Sequence, residues 1–211
     1  MGKKLLALLK KLYDLRRRPY LHWLRRRVTN RRFLLLSSTC NGGLLLHDLG
    51  MPFNTPTVNM VFHSFEKVCA EPERYLAMEP EPIEVPGARC PMFRLGDVTI
   101  EGTHYRDNED FLTCWHRRVE RFHAMRQEGY EILLMTMESN LSEKDGMETF
   151  LKAPYRKLCF TRDPHRTGPE FAYIPARRRN GYRDPWRAAG LLGIRVFARA
   201  ADIPAFLNHS S

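Results

Sequence analysis

Apolar positions along the chain fall into short runs separated by turn-forming residues, and the spacing switches repeatedly between strand-like and helix-like periods. Residues 33–36 (Phe-Leu-Leu-Leu) are continuously apolar, as in a strand buried on both faces. The small-residue stretch Ser37-Ser38-Thr39-Cys40-Asn41-Gly42-Gly43 follows, and Leu44-Leu45-Leu46 restarts the apolar pattern. This predicts a strand, a tight loop and a helix over 44–49 that ends at Gly50, with Pro52 beyond it. Asn54-Thr55-Pro56 reads as a turn and 57–62 as a second strand, with Ser64 capping a helix over 65–70 and a further helical piece over 72–78. The stretch 79–91 is rich in Pro and Glu and reads as a loop around a short strand at 83–85. Residues 92–95 and 98–103 form a predicted hairpin about Gly96-Asp97. A helix over 108–127 stops at Gly129, a strand follows over 131–137, and Ser142 with Asp145 three residues on marks another helix start. Strands at 158–161 and 171–174, a basic loop over 177–186 and a helix over 203–207 complete the chain. The alternation predicts an α/β fold: a three-layer domain with a mixed sheet.

The first 32 residues change that picture. Leu5, Leu6, Leu8, Leu9, Leu12 and Tyr13 make an apolar helical stripe flanked by Lys3, Lys4, Lys10 and Lys11. Arginine clusters follow at 16–18, 25–27 and 31–32, with Tyr20, Trp23 and Leu24 between them. The whole chain carries a net charge of +10, but residues 1–32 hold twelve Lys or Arg against Asp14 alone, so the remainder is nearly neutral. A division follows into a basic amphipathic arm, 1–32, and a single α/β domain, 33–211. The arm fits a helix lying on an anionic membrane surface through residues 3–27. A nucleic-acid arm and an extension packing on the body are the competing readings. No apolar run approaches the length of about 20 residues that a spanning helix needs, and Lys10-Lys11 breaks the pattern of a signal peptide. The neutral body has no recognisable nucleic-acid reader, so no specific nucleic-acid partner is expected. Five scattered cysteines without a Cys-x-x-Cys pair argue against structural metal and against a disulfide framework. The expected location is cytoplasmic, peripheral to the inner face of the plasma membrane.

Candidate chemistry concentrates on the loop at 37–43. In open α/β sheets such a loop lies at the carboxyl edge, where ligands bind. Gly42 and Gly43 would allow positive φ and close backbone approach, and the N–H groups of the next helix would favour an anion or oxyanion. Ser38, Thr39, Asn41, Gly42 and Gly43 are therefore candidate substrate contacts. Cys40 is the candidate nucleophile, its thiolate favoured by the helix N-terminus. His104 is the preferred general base, ahead of His47 and His63, with Asp97 as a further partner. Ser37 or Ser38 could supply the reactive hydroxyl instead. The plainer alternative is that Gly42-Gly43 only makes the turn and Cys40 is a small buried hydrophobe. Arg117 and Arg121 share a face of the long helix and could grip phosphate or carboxylate, unless Glu120 and neighbouring acids simply pair with them.

Several blocks in their order and spacing resemble a known family. They are Ser38-Thr39-Cys40-Asn41-Gly42-Gly43, the run from Asp48 to Pro56, Gly96-Asp97, His104-Tyr105, the run from Trp115 to Arg121, and Leu158-Cys159-Phe160-Thr161. From Leu35 to Asn208 the chain resembles a bacterial family of unknown function labelled as exopolysaccharide biosynthesis proteins. The resemblance implies a Rossmann-like fold and a part in surface-polysaccharide assembly. Asn54, within the matching run, is a further candidate substrate contact. Thr39 and Asn41 stand where members of that family commonly carry Asn and an aromatic residue. The function expected is a transferase, of acyl or glycosyl type, modifying a glycan or a lipid-linked precursor. A non-catalytic binding or assembly protein of the same pathway is the alternative. The ligand would be a saccharide or phosphorylated small molecule, and the donor an anionic one such as a coenzyme A thioester or a sugar nucleotide.

Overall fold

The computed structural model describes residues 3–175 and 188–208, so the basic stretch 177–179 with Tyr182 and Trp186 lies outside the described residues. Helix α1 (Lys3–Arg27) leads into strand β1 (Phe33–Ser37) and helix α2 (Asn41–Leu49). Then come β2 (Val61–His63), α3 (Phe65–Ala70), α4 (Pro72–Leu76) and the short β3 (Glu81–Pro82). The hairpin β4 (Met92–Leu95) and β5 (Val98–Glu101) precedes the long helix α5 (Asn108–Gln127). The Asp107 side chain caps α5 by accepting the Asp110 N–H, a contact that satisfies one of the free amides of the first turn. Strand β6 (Glu131–Met137), helix α6 (Gly146–Lys152), β7 (Arg156–Thr161) and β8 (Phe171–Tyr173) follow. The end of the chain carries β9 (Ala188–Ala189), β10 (Ile194–Arg195), α7 (Val196–Ala200) and α8 (Ile203–Leu207).

The fold is mixed α/β, but the strands do not join one mixed sheet. One sheet, in the order β1-β6-β7-β8, is wholly parallel; a separate antiparallel sheet has the order β2-β5-β4-β3. The parallel sheet is buried on both faces, which is why its strands read as unbroken apolar runs. Phe33, Leu35, Leu133, Met135, Leu158 and Phe160 face a cluster built with α1, α2, α7 and α8. Leu34, Leu36, Ile132, Leu134 and Cys159 face the other way, onto the antiparallel sheet, α3, α5 and α6.

Several local expectations shift, and the short strand expected at 83–85 lies at Glu81–Pro82. Residues 57–59 form a turn and the strand begins at Val61, because the polar side chains of Asn54, Thr55 and Thr57 serve the open edge of β1. Asn54 Nδ2 donates to the Phe33 carbonyl at 2.8 Å and Thr55 Oγ1 to the Leu35 carbonyl at 2.9 Å, while Thr57 Oγ1 accepts the Ser37 N–H at 2.9 Å. An edge strand with no strand on its outer side thus has backbone groups there satisfied by three side chains. Helix α6 starts at Gly146 and not near Ser142, whose hydroxyl is used by the buried carboxylate of Glu66 at 2.7 Å. Helix α2 starts at Asn41, so Gly42 and Gly43 lie inside the helix.

Helix α1 faces two ways. Arg17, Tyr20, Leu24 and Val28 just beyond its end are buried, and the last three belong to the core cluster shared with α2. Each fully buried Leu or Val is worth roughly 1.5–3 kcal/mol, so this half of the helix is held firmly. Leu12, Leu15 and Trp23 are exposed.

Candidate functional site

The carboxyl end of β1 meets the start of α2, and Phe62 N–H donates to the Ser38 carbonyl at 2.9 Å, drawing β2 across that edge. Because β2 pairs antiparallel with β5, Val61 sits opposite Glu101 and the chain leaving β5 returns over the same edge. Thr103 Oγ1 donates to the Asn59 carbonyl at 3.3 Å and lies 3.7 Å from Cys40 Sγ. Asn59 reaches this position with φ +66, a left-handed conformation that Asn tolerates better than most residues. The result is a cavity of about 730 Å³ between the two sheets. Its wall includes Cys40, His47, His63, His104, Asn140 and Arg195, with Leu44, Phe53, Val61 and Met137 as apolar surface. That volume and mixture suit a small-molecule ligand. Among the described residues, the lining holds no Asp or Glu.

The expected loop residues have other work. Ser38 is fully buried: its Oγ accepts from Thr136 Oγ1 at 3.0 Å and from the Met137 N–H at 3.1 Å, stitching β1 to β6. Ser37 Oγ donates to the Thr39 carbonyl at 3.0 Å. Neither hydroxyl lines the cavity; Thr39 does. Asn41 is buried with Nδ2 against Met137 Sδ at 3.8 Å, and its Oδ1 has no partner. Positive φ is not the reason for the glycine pair, since neither residue has it. A Cβ on Gly42 would stand 2.6 Å from Ser37 Cβ, and one on Gly43 would stand 3.0 Å from Val58 Cγ1. The pair lets α2 pack tightly on β1 and the turn beside it, and Gly43 also borders the cavity.

Cys40 precedes α2 in helical conformation and its thiol is partly exposed. Burial pushes that thiol above its ordinary value near 9, although the Thr103 hydroxyl pulls the other way. Burial thus works against the thiolate that a helix start favours. His104 shares the cavity with Cys40, at its exposed margin. Asp97 does not join them: at the far end of β5 it accepts from Lys67 Nζ and Tyr75 Oη, both at 2.6 Å, and these hold its carboxyl below the usual range. Asn54 serves the β1 edge instead of the cavity. Arg117 and Arg121 are also outside the lining. Arg121 Nη1 donates to the carbonyl of Phe53, a cavity residue, at 2.7 Å, and Arg117 Nη2 lies 3.8 Å from Cys114 Sγ. Their buried neighbour Arg118 donates to the Val58 carbonyl at 3.0 Å and to the Tyr105 hydroxyl, bracing the turn behind the cavity.

Two constellations escaped the sequence. His63 Nε2 is 2.6 Å from Glu101 Oε1, so a carboxylate orients one of the cavity imidazoles. The hint lay only in antiparallel pairing, which no local pattern reports. The second is centred on Asp48, 1% exposed, which accepts from Arg17 Nη2 at 2.6 Å and Arg195 Nε at 3.0 Å. The backbone carbonyl of Asp48 accepts from Arg25 Nε at 2.8 Å. One carboxylate thus ties α1 to the cavity wall. Next to it, burial and then the Asp48 charge push the Tyr20 hydroxyl up to about 12.

The model of the domain of unknown function DUF1919 matches residues 14–184. The chain belongs to the DUF1919 family. The matched range begins inside α1 and takes in Arg17, Tyr20 and Leu24. It covers every named cavity residue except Arg195. An uncharacterized protein of Haemophilus influenzae is 27% identical over 191 residues, spanning 89% of each chain. In the DUF1919 fold as this chain presents it, the cavity lies where the two sheets abut. No helix among the described residues is long and apolar enough to cross a membrane, and the same residues contain no cluster of His, Cys, Asp and Glu fit for a metal ion.

Proposed function

We propose that this protein is a group-transfer enzyme of surface-polysaccharide assembly, acting on a glycan or its lipid-linked precursor. The observation that carries the reading is the gathering of Cys40, His47, His63, His104 and Arg195 on one cavity, with His63 held by Glu101. With Nε2 hydrogen-bonded to the carboxylate, the neutral ring keeps Nδ1 as its basic nitrogen. His63 then accepts the proton of an acceptor hydroxyl as that oxygen bonds to the donor's acyl or anomeric carbon. The donor's C–S or C–O bond breaks, and the proton leaves with the departing group. Arg195 supplies the cation for an anionic donor such as a coenzyme A thioester or a sugar nucleotide. The glycan context follows from the sequence resemblance, and the cavity's mixed polar and apolar lining is compatible with it. His63 replaces His104 as the preferred base because it is oriented; His104 remains at the cavity margin as a second proton carrier.

A non-catalytic binding protein for the same ligands is the second reading, because burial raises the Cys40 thiol instead of activating it. Transfer assays with acyl-coenzyme A and nucleotide-sugar donors, read by mass spectrometry beside thermal-shift binding, separate the two. The enzyme reading expects transfer by the wild type and a loss of about 10²–10⁴-fold in His63→Gln. The melting temperature should be nearly unchanged, since an exposed pair contributes under about 1 kcal/mol. Binding without transfer establishes the binding protein. Neither binding nor transfer with any donor rejects the cavity as the substrate site.

A further inference from the structure

Helix α1 has two lateral faces with different fates. Arg17, Tyr20 and Leu24 recur at three- and four-residue intervals and are buried on the body. On the opposite side Leu12, Leu15 and Trp23 are each about half exposed, at 54%, 54% and 49%, with Pro19 between them in the same register. Exposed arginines border it on both flanks, Arg16 and Arg27 on one side and Arg18 and Arg25 on the other, with Arg26 between. Tyr20 stacks on Trp23 with ring centroids 6.0 Å apart, so the buried face positions the exposed indole. The Arg17–Asp48 pair locks the helix's rotation, which keeps the outward stripe pointing away from the body.

We propose that this outward face of α1 docks on an anionic lipid bilayer, its leucines and Trp23 entering the interface while the bordering arginines meet lipid phosphates. The charge selects this occupant. Residues 1–32 carry twelve basic side chains against one acid, complementary to anionic headgroups, while an apolar stripe with an indole at the interface is what a bilayer takes up. A nucleic acid would use the arginines and leave the leucines in water. Since Asp48 joins Arg17 of α1 to Arg195 of the cavity, docking also fixes the orientation of the cavity wall relative to the lipid surface. The docking surface shares no residue with the proposed transfer chemistry, so each stands or falls separately.

The test is co-sedimentation of the full chain with vesicles of phosphatidylglycerol and phosphatidylcholine, against vesicles of phosphatidylcholine alone. The chain should pellet with the anionic vesicles only, and less so as salt rises. Leu12→Glu/Leu15→Glu/Trp23→Glu should bind at least about tenfold more weakly, and Arg18→Gln/Arg26→Gln should also weaken binding. Circular dichroism should show both variants folded, because the buried face is untouched. The proposal is overturned if the wild type stays in solution with anionic vesicles. It is equally overturned if the apolar variant pellets as well as the wild type, which leaves a purely electrostatic arm of the nucleic-acid kind. A wild-type dimer that the apolar variant converts to monomer also overturns it, since a second copy then covers the stripe.

Discussion

The two walls of the cavity are built on opposite plans. Behind the wall supplied by β1 and α2 the polar groups are engaged: Ser37, Ser38 and Asp48 are buried, and they bond to backbone, to Thr136 and to the Arg17 and Arg195 guanidiniums. The wall supplied by β2 and the chain leaving β5 is open, with His63 and His104 exposed and Thr103 reaching across to Cys40. The buried bonds behind the first wall make it a backing, Asn41 Oδ1 excepted, and the exposed imidazoles of the second can exchange hydrogen bonds with a ligand. The glycine pair that attracts attention in the sequence packs α2 closely on β1, and Thr39, Cys40 and Gly43 of the same loop border the cavity. The histidine oriented by a carboxylate lies on the other side.

Removing the carboxylate behind the first wall should produce the largest effect. Asp48→Ala strands the Arg17 and Arg195 guanidiniums without their buried counter-charge, a loss of about 3–5 kcal/mol in urea unfolding. A loss below about 1 kcal/mol would mean that the cluster does not hold α1 and the cavity wall together. Gly42→Ala comes next. Alanine favours a helix over glycine by about 1 kcal/mol, but its Cβ meets Ser37 Cβ at 2.6 Å, an overlap costing about 1–3 kcal/mol. A net destabilisation is expected, larger than for Gly43→Ala, where the nearest atom is a Val58 methyl at 3.0 Å. A more stable Gly42→Ala would show that the wall has slack.

The smallest effect concerns Cys40, which stands where the walls meet. Its thiol is pushed above 9 by burial, so iodoacetamide labelling near neutral pH should be slower than for free cysteine. The rate should climb as pH rises past 9, because only the thiolate reacts. Peptide mapping by mass spectrometry reads the site directly. Fast labelling at pH 7 would contradict the protonated thiol and return Cys40 to the role of activated nucleophile.

Much of the frame was readable in the chain. The strand at Phe33–Ser37, the helix ended by left-handed Gly50, the hairpin on Gly96 and the long α5 were all present as local patterns, because periodicity and caps are short-range properties. The sequence also singled out Cys40 and His104, which the fold does place on one cavity. Strand ends of a single sheet would bring them together, but the actual cause is a second sheet whose β2 is bonded to Ser38.

The sequence by itself determined the elements, the concentration of positive charge before residue 33 and the amphipathic character of α1. Only the tertiary structure decided which residues meet. Asp48 lies 31 residues from Arg17 and 147 from Arg195, and His63 lies 38 from Glu101. Separations of that size leave no trace in a local period. The same holds for α1: its leucines and tyrosine announced a helix, but which of them is buried depends on the surface offered by α2. Burial is a property of pairs of surfaces brought together by folding, and a linear pattern specifies only one member of each pair.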